Sequence, residues 1–194
     1  MKCVLASGNA KKAKELTALL APKGWQVVLQ SELGVVQPAE DGLTFVENAL
    51  IKARAASEQT GLPAVADDSG LVVPALQGAP GIYSARFAGE EASDAENNTK
   101  LLSMMSSLLE EQRDAYFVSV IVLLRHAQDP LPIIAQGVWH GRILHQAVGE
   151  GGFGYDPVFW VPTHGCASAQ LPAEIKQSIS HRGLAMSSLL AQLS

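Results

Sequence analysis

The stretch Pro63-Ala64-Val65-Ala66-Asp67-Asp68-Ser69-Gly70-Leu71-Val72-Val73 has the composition of a buried β-strand with two adjacent acids in its middle. A charge in such a strand costs on the order of several kcal/mol unless it has a partner. A hard divalent cation such as Mg²⁺ is the simplest partner for two neighbouring carboxylates. Neighbours on a strand point to opposite faces, so both acids serve one site only if the strand ends or bulges there, which Gly70 permits. We expect one acid to be a metal ligand or general base and the other to support it.

Helices and strands alternate on both sides of this stretch, which predicts an α/β fold. Residues 1–194 are expected to form one domain with two lobes and an active-site cleft between them, because two long strands late in the chain suggest a hairpin of their own. The predicted strands are Lys2–Ala6, Trp25–Leu29, Tyr116–Leu124 and Ile133–Leu144, the last with bends or bulges at Gly137 and Gly141. The predicted helices are Ala10–Leu20, Leu43–Gln59, one that begins at a Ser93/Glu96 capping box and runs through Leu109, and a final one capped by Ser180.

Composition excludes several classes of protein. The 194 residues are 47% hydrophobic and 17% charged, as in a folded domain. The net charge of −5 argues against a nucleic-acid partner. No apolar run approaches the roughly 20 residues of a membrane span, and two cysteines are too few for a disulfide framework. We therefore expect a cytoplasmic protein that binds neither nucleic acid nor membrane, with Cys3 as a buried thiol.

A possible anion-binding loop follows the first strand. Ser7-Gly8-Asn9-Ala10-Lys11-Lys12 joins that strand to a helix, and N–H groups at a helix start bind anions. Asn9 can add hydrogen bonds and Lys12 a point charge on a phosphate. The alternative is an ordinary helix start with solvated lysines.

Two glutamates precede the acidic strand. Glu40, in a loop, could reach the same metal as Asp68 or could be a solvated loop charge. Glu47, at the start of a helix, could cap that helix or pair with Arg54.

Two later segments have the chemistry of a purine site. Gly149-Glu150-Gly151-Gly152-Phe153-Gly154-Tyr155-Asp156-Pro157 contains four glycines that let the backbone approach a ligand, and Phe153 could stack on a base for ~1–3 kcal/mol. A tight hairpin with a core Phe is the alternative. Lys176 and the Ser180-His181-Arg182-Gly183 segment could recognise the O6/N7 edge of a purine, or could simply be a helix start with surface charges.

Together these motifs resemble the inosine/xanthosine triphosphate pyrophosphatase family. The resemblance runs through six ordered blocks: Ser7-Gly8-Asn9-x-x-Lys12, Gly42-Leu43-Thr44-Phe45-x-Glu47-Asn48-Ala49, Ala66-Asp67-Asp68-Ser69-Gly70-Leu71, residues 78–86, residues 151–157 and Ile179-Ser180-His181-Arg182-Gly183. Six blocks in order are far more specific than any single one.

The resemblance implies a homodimeric, Mg²⁺-dependent hydrolase with an elongated mixed central sheet flanked by helices. It implies that a purine nucleoside triphosphate (ITP, dITP or XTP) is cleaved to the monophosphate and pyrophosphate by attack of water on the α-phosphorus, which cleanses the nucleotide pool. Asp68 would be the proton acceptor and a metal ligand, and Glu40 a further metal ligand. The substrate would be bound by Ser7, Gly8, Asn9, Ala10, Lys11, Lys12, Ser69, Phe153, Gly154, Tyr155, Asp156, Lys176, His181 and Arg182.

Other functions compete with this interpretation. A broader pyrophosphatase acting on modified pyrimidine nucleotides could use the same phosphate and metal groups, but the purine-edge residues argue against it. A nucleotide-binding module without hydrolysis would not need two acids in a strand. A P-loop kinase would need the Gly-x-x-x-x-Gly-Lys-Ser/Thr motif, which the sequence lacks.

Overall fold

The structure, a computed structural model, describes residues 1–7 and 10–193, and for residues 10–12 it describes the backbone alone. The strands are β1 (Lys2–Leu5), β2 (Gln26–Leu29), β3 (Ala64–Val72), β4 (Asp114–Leu124), β5 (Ile133–Ile143), β6 (Phe159–Val161) and β7 (Cys166–Ala167). The helices are α1 (Ala10–Leu20), α2 (Phe45–Thr60), α3 (Asp94–Met104), α4 (Ala173–Ile179) and α5 (His181–Gln192). Short 3₁₀ segments lie at Ala21–Lys23, Gln30–Leu33, Pro74–Leu76, Gly81–Arg86, Glu110–Gln112, Asp156–Val158 and Ser168–Gln170.

The strands form one mixed sheet in the order β2-β1-β3-β4-β5-β6-β7. β1 is parallel to β2 and to β3, with Leu5 opposite Val65, whereas β6 is antiparallel to both β5 and β7. The predicted class, a mixed sheet flanked by helices, is confirmed. None of the helices in the described part of the chain is long and apolar enough to cross a bilayer.

The chain divides into two compact units, each with a core of its own. Unit 1 comprises Met1–Asp68, Ser119–Gly137 and Leu184–Ser194, and unit 2 comprises Ser69–Val118 and Val138–Gly183. The core of unit 1 includes Leu16, Val65 and Leu189, and that of unit 2 includes Phe117, Trp139 and Phe159. Burial raises the pKa of the Cys3 thiol to about 11, as expected for an inert core cysteine.

The third helix ends earlier than its sequence pattern predicts. Its Ser93/Glu96 capping box is present, but α3 stops at Met104 and Leu109 is 62% exposed. The buried guanidinium of Arg113 donates to the Met105 carbonyl at 2.7 Å and to the carbonyls of Ile143 and Leu144. The Met105 carbonyl, which also accepts from the Leu108 N–H at 3.1 Å, is thus bound by a side chain from outside the helix.

The glycines of β5 do not interrupt the strand. β5 runs unbroken from Ile133 to Ile143, and the bends or bulges expected at Gly137 and Gly141 stay a prediction. A Cβ on Gly141 would lie 2.4 Å from the Trp160 carbonyl oxygen and 2.5 Å from the Phe159 ring. Gly141 therefore serves close packing against β6.

Candidate active site

The acidic strand passes through both aspartates without a break. β3 continues to Val72, with Asp67 buried and the Asp68 side chain 14% exposed. The strand therefore does not end at the two acids, and neighbouring side chains of a regular strand point to opposite faces. Asp68 therefore belongs to the site described below, while Asp67 lies on the other side of the pleat.

Lys52 joins the two predicted metal ligands of unit 1. Its Nζ lies 2.9 Å from Glu40 Oε2 and 3.8 Å from Asp68 Oδ1. Glu40 is therefore paired with a half-buried cation rather than being a solvated loop charge. Sequence analysis missed Lys52, although it follows Asn48 by four residues in α2 and so shares its helix face.

Asn48 ties Asp68 to the loop that carries Glu40. Its Nδ2 donates to Asp68 Oδ2 at 3.3 Å, its Oδ1 accepts from the Gly42 N–H at 2.9 Å, and the residue is 1% exposed. A Cβ on Gly42 would lie 2.7 Å from the Glu47 Cβ, so the loop approaches α2 as only glycine allows. The position of Asp68 thus depends on the start of α2.

The start of α2 is itself fixed by hydrogen bonds between Thr44 and Glu47. The Thr44 hydroxyl accepts from the Glu47 N–H, while the Glu47 carboxylate accepts from the Leu43 N–H and the Thr44 hydroxyl. Of the two roles left open for Glu47, the structure shows the cap.

Carboxylate oxygens from Glu40 and Asp68 are a suitable donor set for Mg²⁺ when substrate phosphates complete its shell. Among the described residues no group of three or more His, Cys, Asp or Glu side chains could hold a metal alone. Mg²⁺ commonly takes one or two protein carboxylates together with phosphate oxygens and water, so the pair fits that mode. A metal would compete with Lys52 for the same oxygens.

The predicted anion-binding loop begins beside the acidic strand. Leu5 is opposite Val65 in the parallel β1–β3 pair, and the Ala6 N–H donates to the Val65 carbonyl at 2.8 Å. Ser7 follows directly, so the loop leaves β1 at the level of Asp67 and Asp68. Gly8, Asn9 and the side chains of Ala10, Lys11 and Lys12 lie outside the described residues.

A second cluster of predicted site residues lies in unit 2 and is organised around Asp156. This carboxylate is 3% exposed and accepts from the Phe153 N–H at 2.8 Å, the Ser168 hydroxyl at 2.8 Å and Lys176 Nζ. A Cβ on Gly152, whose φ is +78°, would lie 2.1 Å from the same carboxylate. Asp156 is thus engaged by protein groups and holds the loop and Lys176 in place.

The Phe153 ring is the exposed element of this cluster. It is 44% exposed, with Lys176 Nζ 5.1 Å and Arg182 Cζ 4.8 Å from its centroid. Arg182 Nε is buried and, within the described part of the chain, has no hydrogen-bond acceptor. An exposed aromatic face beside two cations, one with an unused donor, suits a flat ligand with carbonyl oxygens.

Two other predicted ligands lie mainly in the core. His181 is 8% exposed and stacks on Phe117 with centroids 4.7 Å apart. The buried Tyr155 hydroxyl donates to the Ser84 carbonyl at 2.8 Å, and burial raises the pKa of Tyr155 above its ordinary value. Ser69 follows Asp68 in β3 and is partly buried. Both side chains are thus held by other protein groups, His181 by ring stacking and Tyr155 by a hydrogen bond.

Comparisons with known proteins agree over the whole chain. The model of the Ham1 family matches residues 3–192. A dITP/XTP pyrophosphatase of Photobacterium profundum is 58% identical over 192 residues, 99% of this chain and 98% of its own length. One of Vibrio parahaemolyticus is 58% identical over 193 residues, 100% of this chain and 96% of its own. The solved structure of a HAM1 protein from Coxiella burnetii has a TM-score of 0.96 at 46% identity, covering 100% of this chain and 98% of that one.

Proposed function

Since the chain belongs to the Ham1 family, we propose that it hydrolyses the triphosphates of deaminated purines, ITP, dITP and XTP, to the nucleoside monophosphate and pyrophosphate. The observation that carries this proposal is the 58% identity, over 99% of the chain, to a protein named a dITP/XTP pyrophosphatase. The resemblance seen in the six sequence blocks agrees with it. The protein is accordingly a hydrolase of nucleoside triphosphates.

Asp68 accepts the proton in the proposed reaction. Water attacks the α-phosphorus, an O–P bond forms, the bond from the α-phosphorus to the bridging oxygen breaks, and pyrophosphate leaves. Asn48 holds one oxygen of Asp68 by its amide, and Lys52 Nζ lies 3.8 Å from the other. Mg²⁺ held by Glu40 and Asp68 would neutralise charge on the phosphates.

The triphosphate is bound by the loop that follows β1. Ser7 supplies a hydroxyl, Gly8 to Lys11 supply N–H groups at the start of α1, and Asn9 and Lys12 supply side-chain donors. Because the negative charge of the leaving pyrophosphate grows as the bond breaks, these donors bind the transition state more tightly than the substrate.

The base is recognised at Phe153. Its ring stacks on the purine, while donors from Lys176 or Arg182 face the 6-oxo group of hypoxanthine or xanthine. Adenine has an amino group at that position, which would leave a buried donor unpaired at a cost of ~1–3 kcal/mol. Guanine shares the 6-oxo group, so discrimination against GTP must come from its 2-amino group.

The finer properties implied by the family resemblance are also proposed. We propose that the enzyme works as a cytoplasmic homodimer, depends on Mg²⁺, and cleanses the nucleotide pool without binding nucleic acid or membrane. Sedimentation of the purified protein tests the dimer, and a monomer at micromolar concentration would contradict it.

A substrate panel tests the activity. Purified protein is incubated with Mg²⁺ and ITP, dITP, XTP, ATP, GTP or a modified pyrimidine triphosphate, and the products are identified by anion-exchange chromatography. We expect pyrophosphate, not single phosphate, and a higher kcat/KM for ITP and XTP than for ATP and GTP. Equal kcat/KM for GTP would overturn the selectivity, and release of single phosphate would overturn the reaction.

A further inference from the structure

Two side chains of α3 hold a single residue of the Phe153 loop. Asp94 Oδ2 accepts from the Gly154 N–H at 2.6 Å, and Asn98 Nδ2 donates to the Gly154 carbonyl at 2.9 Å. Asp94 and Asn98 are four residues apart, so they lie one above the other on the same helix face. Both hydrogen-bonding groups of Gly154 are therefore bound to a helix far away in sequence.

Gly154 is a residue whose backbone conformation benefits from such restraint. Its φ is +60°, and no atom lies within 4 Å of the position a Cβ would take. Glycine loses more conformational freedom on ordering than any other residue, and Gly154 has no side chain through which packing could restrict it. Its neighbours are anchored differently, Phe153 through Asp156 and Tyr155 through Ser84.

We propose that Asp94 and Asn98 are positioning residues for purine recognition, which hold Gly154 so that the Phe153 ring is already oriented for stacking. This inference rests on the proposed function, in which Phe153 meets the base. The hydrogen bonds of both residues go to the backbone of Gly154, next to Phe153.

Because the Phe153 ring is exposed, its orientation depends on the backbone beside it. Burial alone does not fix a ring that is 44% exposed, so its direction depends on the main chain and on the two cations beside it. If the two hydrogen bonds to Gly154 are lost, each binding event must also restrict the motion of the Phe153 ring. Ordering of this kind weakens binding without altering the chemistry at Asp68.

The hydrogen bonds predict an asymmetric response to conservative substitution. Asp94 acts as an acceptor, so Asp94→Asn keeps an oxygen for Gly154 while Asp94→Ala does not. Asn98 acts as a donor, so Asn98→Asp keeps the shape but loses the N–H. We expect Asp94→Ala, Asn98→Ala and Asn98→Asp to raise the KM for ITP and the Kd for IMP by about threefold to tenfold, the value of one net hydrogen bond, with kcat little changed. Asp94→Asn restores affinity to near that of the wild type.

Matched controls come from the same part of the chain. Glu91→Gln removes an exposed charge before α3, and Thr99→Ala removes an exposed hydroxyl that bonds only to its own helix. Both should leave KM and Kd unchanged. Because Asp94 is exposed at the helix start, Asp94→Ala should fold, and far-UV circular dichroism checks this.

A double-mutant cycle with Phe153→Ala shows whether Asp94 affects IMP binding through the Phe153 ring or by another route, such as a change in the whole fold. We expect Asp94→Ala to cause no further loss of IMP binding once the ring is gone. In Asp94→Ala, the loss of IMP affinity should be accompanied by faster hydrogen exchange at the Gly154 amide.

Three results would overturn the inference: wild-type affinity in Asp94→Ala, an equal loss with Asp94→Asn, or the same loss in the presence and absence of the Phe153 ring. If the wild type neither hydrolyses ITP nor binds IMP, the proposed function itself fails and the inference falls with it. If the wild type does both and Asp94→Ala does so equally well, the inference alone fails.

Discussion

Substitution of Asn48 tests how the position of Asp68 is maintained. Asn48→Ala removes the bond to Asp68 Oδ2, seen at 3.3 Å, and the acceptor for the Gly42 N–H, seen at 2.9 Å. A hydrogen bond to a charged group contributes about 1.5–3 kcal/mol and one to a neutral group about 1 kcal/mol. We therefore expect the free energy of unfolding, measured in urea, to fall by about 2.5–4 kcal/mol.

The loss of activity should exceed what this loss of stability explains. Displacement of a catalytic group by about 1 Å can cost on the order of a hundredfold, so we expect kcat for ITP to fall about 10- to 100-fold in protein that is still folded. Asn48→Asp should be equally impaired although it keeps the Gly42 bond, because it places a second negative charge beside Asp68.

Ser57→Ala is the matched control, since it lies in the same helix and breaks one buried hydrogen bond, to the Leu62 carbonyl at 2.7 Å, far from Asp68. It should lose about 1 kcal/mol of stability and keep its kcat. Wild-type kcat in folded Asn48→Ala, or an equal loss of kcat in Ser57→Ala, would refute the reasoning.

Three further predictions concern catalysis and stability. Asp68→Asn should abolish pyrophosphate release while circular dichroism shows an intact fold, and Asp41→Asn in the nearby exposed loop should stay active; turnover by Asp68→Asn would contradict the assigned base. Arg113→Met removes a buried guanidinium and its hydrogen bonds to three carbonyls, so urea unfolding should show a loss of about 3–5 kcal/mol, against little change for exposed Arg142→Met; equal effects would count against it. Hydrogen bonds from Arg125 hold the pKa of Asp129 well below its usual range, so its contribution to stability is present at neutral pH and is lost as the pH falls through that lowered pKa. The stability difference between wild type and Asp129→Asn should therefore shrink as the pH falls below about 4, and a difference that is constant from pH 7 to pH 2 would show the opposite.

Local patterns predicted much of the fold. The apolar face of α1 (Ala13, Leu16 and Leu20) is buried as its spacing predicts, and the Ser93/Glu96 capping box is present. Both depend on neighbours within one or two helical turns. The end of α3 was not predictable in this way, because Arg113 reaches the Met105 carbonyl from outside the helix.

Other differences have the same origin in tertiary contacts. The sequence pattern of the last helix predicts Leu184, Leu189, Leu190 and Leu193 as its apolar positions. Leu189 is buried as predicted, but Leu184 is 40% exposed, and Ala185 and Met186 are buried in addition. β6, β7 and α4 were not predicted, since strands of three and two residues and a helix of seven carry little periodic signal.

For the candidate site, the sequence predicted which kinds of side chain are present better than it predicted their contacts. Glu40 and Asp68 were grouped as carboxylates, and the structure adds that they share Lys52, which sequence alone did not suggest. Phe153, Asp156, Lys176 and Arg182 do lie together, but Asp156 is occupied by protein donors in a way that only the folded loop reveals. The catalytic and binding roles of these residues remain predictions.

Hydrolysis of ITP in ¹⁸O-labelled water tests the central claim most directly, because the label marks the phosphorus that is attacked. Mass spectrometry of the products should find one ¹⁸O in the phosphate of IMP and none in pyrophosphate. Label in pyrophosphate would mean attack at the β-phosphorus and would contradict the role given to Asp68.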